Sequence, residues 1–408
     1  MKQWLVLAWR NIWRNKRRTL ISAASVAFAV MFATSMSSLQ KGGWDRMLNN
    51  VVHFYFGYGQ IHAQGYWDEQ TIDRSLELQP DTLAVLSAMI GNKPIVPRLE
   101  SFALASTGPI TMGVLVSGID PSGEDSLTDL ADRLVAGKYF ASLADDGVLV
   151  AEGIAEELEL AVGDTLVLLS QGYHGVSAAG KYPITGLVSF GSPELNKLMV
   201  YMPLETAQYF FGAEGRATSL VLGLDNVKEA KAAVSQLRRQ LDPAVYEVLD
   251  WEQLIPDLVQ ARGLDDAGNT IIILILYLII AFGLFGTVLM MTKEREYEFG
   301  VLVAIGMRRR LLTGVVWVEI IFLAAVGALM GMALALPIVW YFHINPIVFT
   351  GEMAQAYEQY GVEPIIPTVV ESWIFVKQAL IIFGMASLMA LYPWLKIRTL
   401  SPVQSMRH

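Results

Sequence analysis

The sequence predicts a membrane α-helical protein with four transmembrane helices and a large α+β extracytoplasmic domain between the first and the second. Three observations predict it. The 408 residues are 53% hydrophobic with a mean hydropathy of +0.42, more apolar than soluble domains usually are. Apolar stretches long enough to cross a bilayer fall within 269–291, 311–342 and 373–395, with a weaker one at 19–41. Charge is segregated: residues 1–18 carry six Lys/Arg and no acid, whereas 42–268 carry 14 Lys/Arg against 31 Asp/Glu, a net of −17. Basic residues stay on the cytoplasmic side of spans, so both termini and the link at 292–310 are expected there, with the acidic domain outside. An acidic chain with basic ends is not a nucleic-acid binder.

The N-terminal segment 1–18 interleaves Trp4, Leu5, Trp9, Ile12 and Trp13 with Arg10, Arg14 and Arg17, a pattern for an amphipathic helix in the headgroup layer. The first span, 19–41, is rich in Ala and Ser, which suits close packing against other helices. Ala27-Phe28-Ala29 also offers a small-x-small cleavage site, but the charged region before it is long for a signal peptide.

Residues 42–268, about 225 in all, are enough for a core and two lobes. Strands are predicted at Val114–Ile119, Gly147–Ala151, Thr165–Leu169, Tyr182–Val188 and Leu198–Met202, and helices at Thr82–Ile90 (capped by Asp81), Leu204–Phe211 after Pro203, and Val227–Leu241. The elements mix without regular βαβ alternation, which reads as α+β. Asp250 caps a helix leading to the second span, 269–291.

The link 292–310 is unusual. A charged turn (Lys293, Glu294, Arg295, Glu296, Glu298) runs into Phe299, Leu302 and Val303 at helical spacing, then Gly306 and three arginines. The pattern predicts a short helix on the cytoplasmic membrane face with a polar side left for a partner; the plainer reading is a solvated loop whose arginines only set orientation. The third span, 311–342, holds the small-xxx-small pair Gly327 and Gly331, and an extracytoplasmic loop, 343–372, follows. That loop, with Tyr357, Tyr360, Pro364 and Pro367, caps the outer domain or contacts cargo; sequence leaves both open. The fourth span, 373–395, is bent by Pro393, and a basic tail, 396–408, ends the chain. Glu319 stands within the third span, where an ionisable group is costly and usually paired or functional. Lys377 near the outer end of the fourth span reads as a snorkelling side chain.

Several chemistries are excluded or disfavoured. The chain has no cysteine, so disulfides and thiolate sites are ruled out. Gly175 to Lys181 matches GxxxxGK, but Tyr182 replaces the Ser/Thr that would hold magnesium, so ATP belongs to another chain. The five histidines (His53, His62, His174, His343, His408) lack metal-ligand spacing. No catalytic constellation appears, so no enzyme activity is expected. The aromatic stretch 53–67 reads either as ordinary core or as apolar surface for amphipathic cargo.

A resemblance enters at the link. Glu294-Arg295-x-x-Glu298-Phe299-Gly300-x-x-x-Ala304-x-Gly306 resembles the E-R-x-x-E-I-G-x-x-x-A-x-G signature of FtsX/MacB-type ABC transporter permeases. The start, Ala8-Trp9-Arg10-Asn11-Ile12, and the close, Leu400-Ser401-Pro402-Val403-Gln404-Ser405-Met406-Arg407, are similar to that family's ends. Gly147–Ala155 with Val162-Gly163-Asp164-Thr165, and Val116-x-Gly118-Ile119-Asp120-Pro121, are similar to its MacB-like periplasmic core. Val303 and Gln404 depart from the family pattern, in place of a basic residue and a Glu.

The resemblance implies that 292–310 contains a coupling helix docked on a separate ABC ATPase, present in two copies and using ATP and magnesium. The coupling residues would be Glu294, Arg295, Glu296, Glu298, Gly300, Ala304, Gly306, Arg308 and Arg309. No cofactor is expected on this chain itself. The implied partners are a second permease copy or paralogue, membrane lipids, a periplasmic partner and, on the lipoprotein-releasing (LolC/LolE-like) branch, lipoprotein cargo. That branch is favoured by size and by Gly57-Tyr58-Gly59-Gln60-Ile61-His62 after the first span. The implied location is the bacterial inner membrane. A MacB-like efflux permease and an FtsX-like non-transporting regulator are the alternatives within the family; outside it, a membrane-anchored receptor is.

Overall fold

The computed structural model describes residues 8–79, 81–143, 145–359 and 363–401. Lys2, Trp4, Leu5, Tyr360, the closing Pro402–Arg407 and His408 lie outside the described residues. The chain forms two compact units, one from the described parts of 1–44, 261–348 and 365–408, the other from 45–260 and 349–364.

The first unit is helical: α1 (Lys16–Leu48), α2 (Pro256–Glu294), α3 (Glu296–Ala304), α4 (Arg309–Ile344), α5 (Ser372–Met389) and α6 (Leu391–Thr399). Four helical stretches among the described residues are long and apolar enough to cross a membrane: Thr19–His53, Pro256–Glu294, Arg309–Ile344 and Ser372–Thr399. Each outruns the apolar stretch in the sequence, because helix continues into polar flanks that need no bilayer.

The small residues act as expected. A Cβ on Gly331 would lie 2.5 Å from the Ala27 carbonyl oxygen, and one on Gly327 2.6 Å from Val26, so these glycines let α4 press against α1. Val26, Val30, Leu284, Val288, Ile320, Ala324, Ile382 and Ala386 fill the interior between the long helices. Polar groups cross-link them: Ser22 with Thr287 at 3.1 Å, and Tyr277 with Gln378, whose amide also reaches Ser37 at 3.4 Å. The last long helix breaks at Ala390, three residues before Pro393, whose ring has no N–H for the carbonyl of Met389.

The second unit is α+β. Its main strands are β1 (Gly59–Ala63), β2 (Ile95–Ser106), β3 (Thr111–Ile119), β4 (Leu134–Gly137), β5 (Val148–Ala151), β6 (Thr165–Gln171), β7 (Ser177–Val188), β8 (Met199–Pro203), β9 (Ser219–Leu222) and β10 (Tyr246–Asp250). Six of them close on themselves in the order β2-β3-β8-β5-β7-β6-β2, with β3–β8 and β5–β7 parallel and the rest antiparallel. The result is a small barrel without a free edge. Leu99, Val114, Val116, Leu149, Leu166 and Ile184 fill it, and Phe211 from the helix Leu204–Phe211 joins the same core. The twelve-residue β2 serves both lobes: its end pairs with β6, while its start pairs with β9 and leads to β1 and β10. Against that second sheet pack Val227–Gln240, capped by Asn226, and Thr82–Met89.

The five strands expected from sequence are present. The stretch resembling a P-loop runs from a 3₁₀ turn into β7, not into a helix. One correction concerns local detail. Asp81 precedes Thr82–Met89, but its side chain makes no capping hydrogen bond. In the aromatic stretch Tyr55, His62 and Tyr66 are buried, as the core reading expects, while His53, Phe56, Tyr58 and Trp67 are half-buried. Asp250 does cap, forming a reciprocal capping box with Gln253 ahead of Pro256 and the long α2.

Burial has a consequence at His62. Its Nδ1 meets the Thr218 carbonyl at 2.9 Å, its ring stacks on Tyr66, and burial pulls its pKa down from 6.5 to about 4. A histidine depressed in the folded state stabilises fully above its unfolded pKa, and that contribution drains away as pH falls from 6.5 through about 4. The loss is about 3 kcal/mol. Urea unfolding of the full chain at pH 7 and at pH 4 is expected to show this drop, and His62→Phe is expected to remove most of it.

Candidate functional site

The link between α2 and α4 is a structured segment with its own fastenings. After Glu294 the helix breaks at Arg295 (φ −101°, ψ 8°), and α3 follows from Glu296 to Ala304. At Gly306, φ is +102°, a conformation that other residues adopt only under strain, so the chain turns there and α4 starts at Arg309. Phe299 and Gly300 are buried on the inner side of α3.

The charged residues turn inward or sideways. Glu319, one per cent exposed within α4, receives Arg295 Nη1 on one oxygen and Asn11 Nδ2 on the other, each at 2.5 Å. Glu298 is shared the same way: Arg14 Nη2 reaches one oxygen at 2.7 Å and Arg295 Nε the other at 3.2 Å. Burial opposes the charge on Glu298, but Arg14 and Arg295 hold its carboxyl below the usual range, and Glu298 in turn raises Arg14. The Arg295 guanidinium also lies over the Phe299 ring, 5.2 Å from its centre. On the other flank Glu296 takes Lys396 at 3.1 Å and Lys293 at 3.2 Å, and Arg309 donates to the backbone carbonyls of Arg398 and Leu400. A cavity of about 250 Å³ lies beside Glu319 and Arg295, bordered by Thr19, Ser22, Thr287 and Leu323.

The outward surface of the link is mixed: Tyr297, Leu302 and Ile305 are 56%, 38% and 80% exposed, with Ala304 and Gly306 also exposed, beside the exposed Lys293, Glu294, Arg308 and Arg310. The charges at 295, 296 and 298 are engaged within the chain, which frees the apolar residues to face outward. Of the sequence-derived coupling residues, Arg295, Glu296, Glu298 and Gly300 belong to the inner scaffold. Ala304, Gly306 and Arg308 lie on or beside the outer surface; Glu294 is exposed and Arg309 anchors α6. Tyr297 and Ile305, eight residues apart, fall on one side at helical spacing, which is legible in the sequence but hidden by the charges between them.

A second charged cluster lies inside the β unit. Arg98 on β2 is fully buried and meets both oxygens of Glu124, at 2.7 and 2.8 Å. It also donates to the Tyr55 carbonyl at 2.6 Å, and Tyr55 donates its hydroxyl to Glu100 at 3.0 Å. Burial pushes the Glu100 carboxyl up, partly offset by Arg98 and Tyr55. No group of three or more His, Cys, Asp or Glu side chains that could hold a metal occurs among the described residues.

Comparison with known proteins assigns the chain. The MacB-like periplasmic core domain family matches residues 19–240, more than half of the chain, and the FtsX-like permease C-terminal family matches residues 270–402. The chain belongs to the FtsX/MacB family of ABC transporter permeases.

It is 22% identical over 333 residues to the lipoprotein-releasing system transmembrane protein LolC of Neisseria meningitidis, covering 79% of this chain and 77% of LolC. To LolE of Haemophilus influenzae it is 20% identical over 420 residues, covering 98% and 97%. The macrolide export ATP-binding/permease protein MacB of Agrobacterium fabrum is 21% identical over 371 residues; there the permease spans 84% of its own length but 54% of MacB. Among solved structures, the periplasmic region of MacB from Actinobacillus actinomycetemcomitans aligns with 50% of this permease and 92% of that chain, at 14% identity and a TM-score of 0.34.

Proposed function

We propose that this permease receives ATP-driven motion from a separate ATPase through the segment 296–305 and passes it, through its long helices, to a β domain on the far side of the bacterial inner membrane, where it releases lipoproteins towards the outer membrane. The observation that carries this reading is the outward stripe of Tyr297, Leu302 and Ile305 on a helix locked from both flanks. A locked helix transmits a push, and an exposed apolar stripe gives a partner something to hold. Charge segregation supports cytoplasmic termini and an external domain. The expected assembly has two ATPase subunits with ATP and magnesium and two permease chains, and the chemistry of hydrolysis resides on the partner.

Lipoproteins are favoured as cargo because the relatives named for lipoprotein release match this chain over most of their own length, whereas it spans about half of the exporter MacB. Depletion of the permease, followed by counting lipoproteins in separated inner and outer membranes, tests the cargo. Accumulation in the inner membrane is expected. An unchanged distribution contradicts lipoprotein release and favours export of small molecules.

A further inference from the structure

The proposed coupling path uses the link between α2 and α4; the ring of contacts around Glu319 adds a third route. Two carboxylates and three donors close that ring. Glu319 gives one oxygen to Asn11 and one to Arg295; Glu298 gives one to Arg14 and one to Arg295. Asn11 and Arg14 come from the N-terminal segment, Arg295 and Glu298 from the link, and Glu319 from α4. Each carboxylate is thus a bridge between the N-terminal segment and the link. Two arginines and two glutamates cancel in charge, which allows Glu319 to be buried.

The N-terminal segment is held at other points as well. Ala8 and Ile12 are buried, and Trp9 meets Phe322 of α4 edge-on with ring centres 6.0 Å apart. Between its helical residues 8–12 and α1 stands a 3₁₀ turn, Trp13–Asn15, and Thr19 of α1 donates to the Ile12 carbonyl across it at 2.6 Å. Movement of residues 8–12 is therefore passed to α1 through a short, tied corner.

We infer that Glu319 is a positioning residue that makes the N-terminal segment and the link move as one body, so that a push on α3 reaches α1 as well as α2 and α4. This inference rests on the coupling role proposed above for its functional part, but not for its mechanical part. Solvation alone does not account for the geometry: an exposed basic helix has no need to send Asn11 to a buried carboxylate.

The test uses the absence of native cysteine. Trp9→Cys/Phe322→Cys gives a unique pair for a short thiol cross-linker in the full-length permease in its native membranes, with its ATPase present. Cross-linking reports whether the N-terminal segment is seated on α4; ATP hydrolysis and cargo delivery are measured on parallel membranes that carry the same position-319 variant without the cysteines. Glu319→Ala is expected to lower cross-linking about tenfold and to uncouple hydrolysis from delivery, since it leaves Arg295 without its buried partner. Glu319→Gln, whose amide oxygen can still accept from Arg295, is expected to keep cross-linking and coupling nearer the parent than Glu319→Ala does. Retained protein level and helical content separate release from misfolding.

Unchanged cross-linking in Glu319→Ala overturns the inference. So does lost cross-linking with intact coupling, or a well-folded Glu319→Gln protein that behaves no better than Glu319→Ala. If no ATPase is bound even by the parent, the coupling reading fails while the cross-link still decides the mechanical claim.

Discussion

Glu124→Ala is expected to destabilise the β unit by about 3–5 kcal/mol, the range for removing one partner of a buried ion pair. Arg98 is fully buried and meets both oxygens of Glu124. Without that carboxylate its charge keeps, among the described residues, Glu100 3.9 Å away, the Tyr55 carbonyl and the Tyr55 ring. Glu100 is poorly placed to substitute, because burial already pushes it towards the neutral acid. The Thr128 hydroxyl, 3.0 Å from Glu124, loses an acceptor as well. Urea unfolding of the full chain in detergent, followed by hydrogen exchange at β2 and β3, measures the loss. An apolar pair, Arg98→Met/Glu124→Leu, is expected to recover most of it, since replacing both partners avoids the orphaned charge. A loss below about 1 kcal/mol in Glu124→Ala would mean that water reaches the cluster.

The four membrane-length helices were legible in the sequence because apolar runs need no partner to be recognised. The five expected strands were legible for the same reason, being short apolar runs bounded by turns. The strand β2 was not: Pro97, Arg98 and Glu100 break its apolar pattern, and only tertiary pairing with Glu124 and Tyr55 makes those charges tolerable there. Closure of the barrel was equally hidden, since the pairing of Leu104 with Leu169 joins segments far apart in the chain. At the site, sequence marked Glu298 and Arg295 as unusual, and both proved to be structured. It could not say that Arg14 and Asn11 would meet them and Glu319, contacts that span more than 280 residues for Arg14 and more than 300 for Asn11. With the charges engaged in this way, the apolar stripe was left outside.

That stripe carries the second large effect. Ile305→Asp is expected to weaken binding of the ATPase partner by roughly 10- to 100-fold, the effect of placing an unpaired charge at the centre of an apolar contact. Tyr297→Ala is expected to act in the same direction through lost area. Neither change touches the ring around Glu319, so insertion and helical content are expected to stay as in the parent. A charge reversal at Glu298 differs: it breaks the contacts with Arg14 and Arg295 and so disturbs the scaffold as well as the surface. Comparing the two separates loss of contact from loss of support.

The most direct measurement places a photo-activated cross-linking residue at position 305 in the native membrane and identifies the adduct by mass spectrometry. Docking of an ATPase on α3 predicts a covalent adduct with a nucleotide-binding subunit, reduced when Tyr297→Ala is introduced on the same chain. Adducts with lipid alone would mean that the stripe is buried in the headgroup layer and would contradict the coupling role of 296–305.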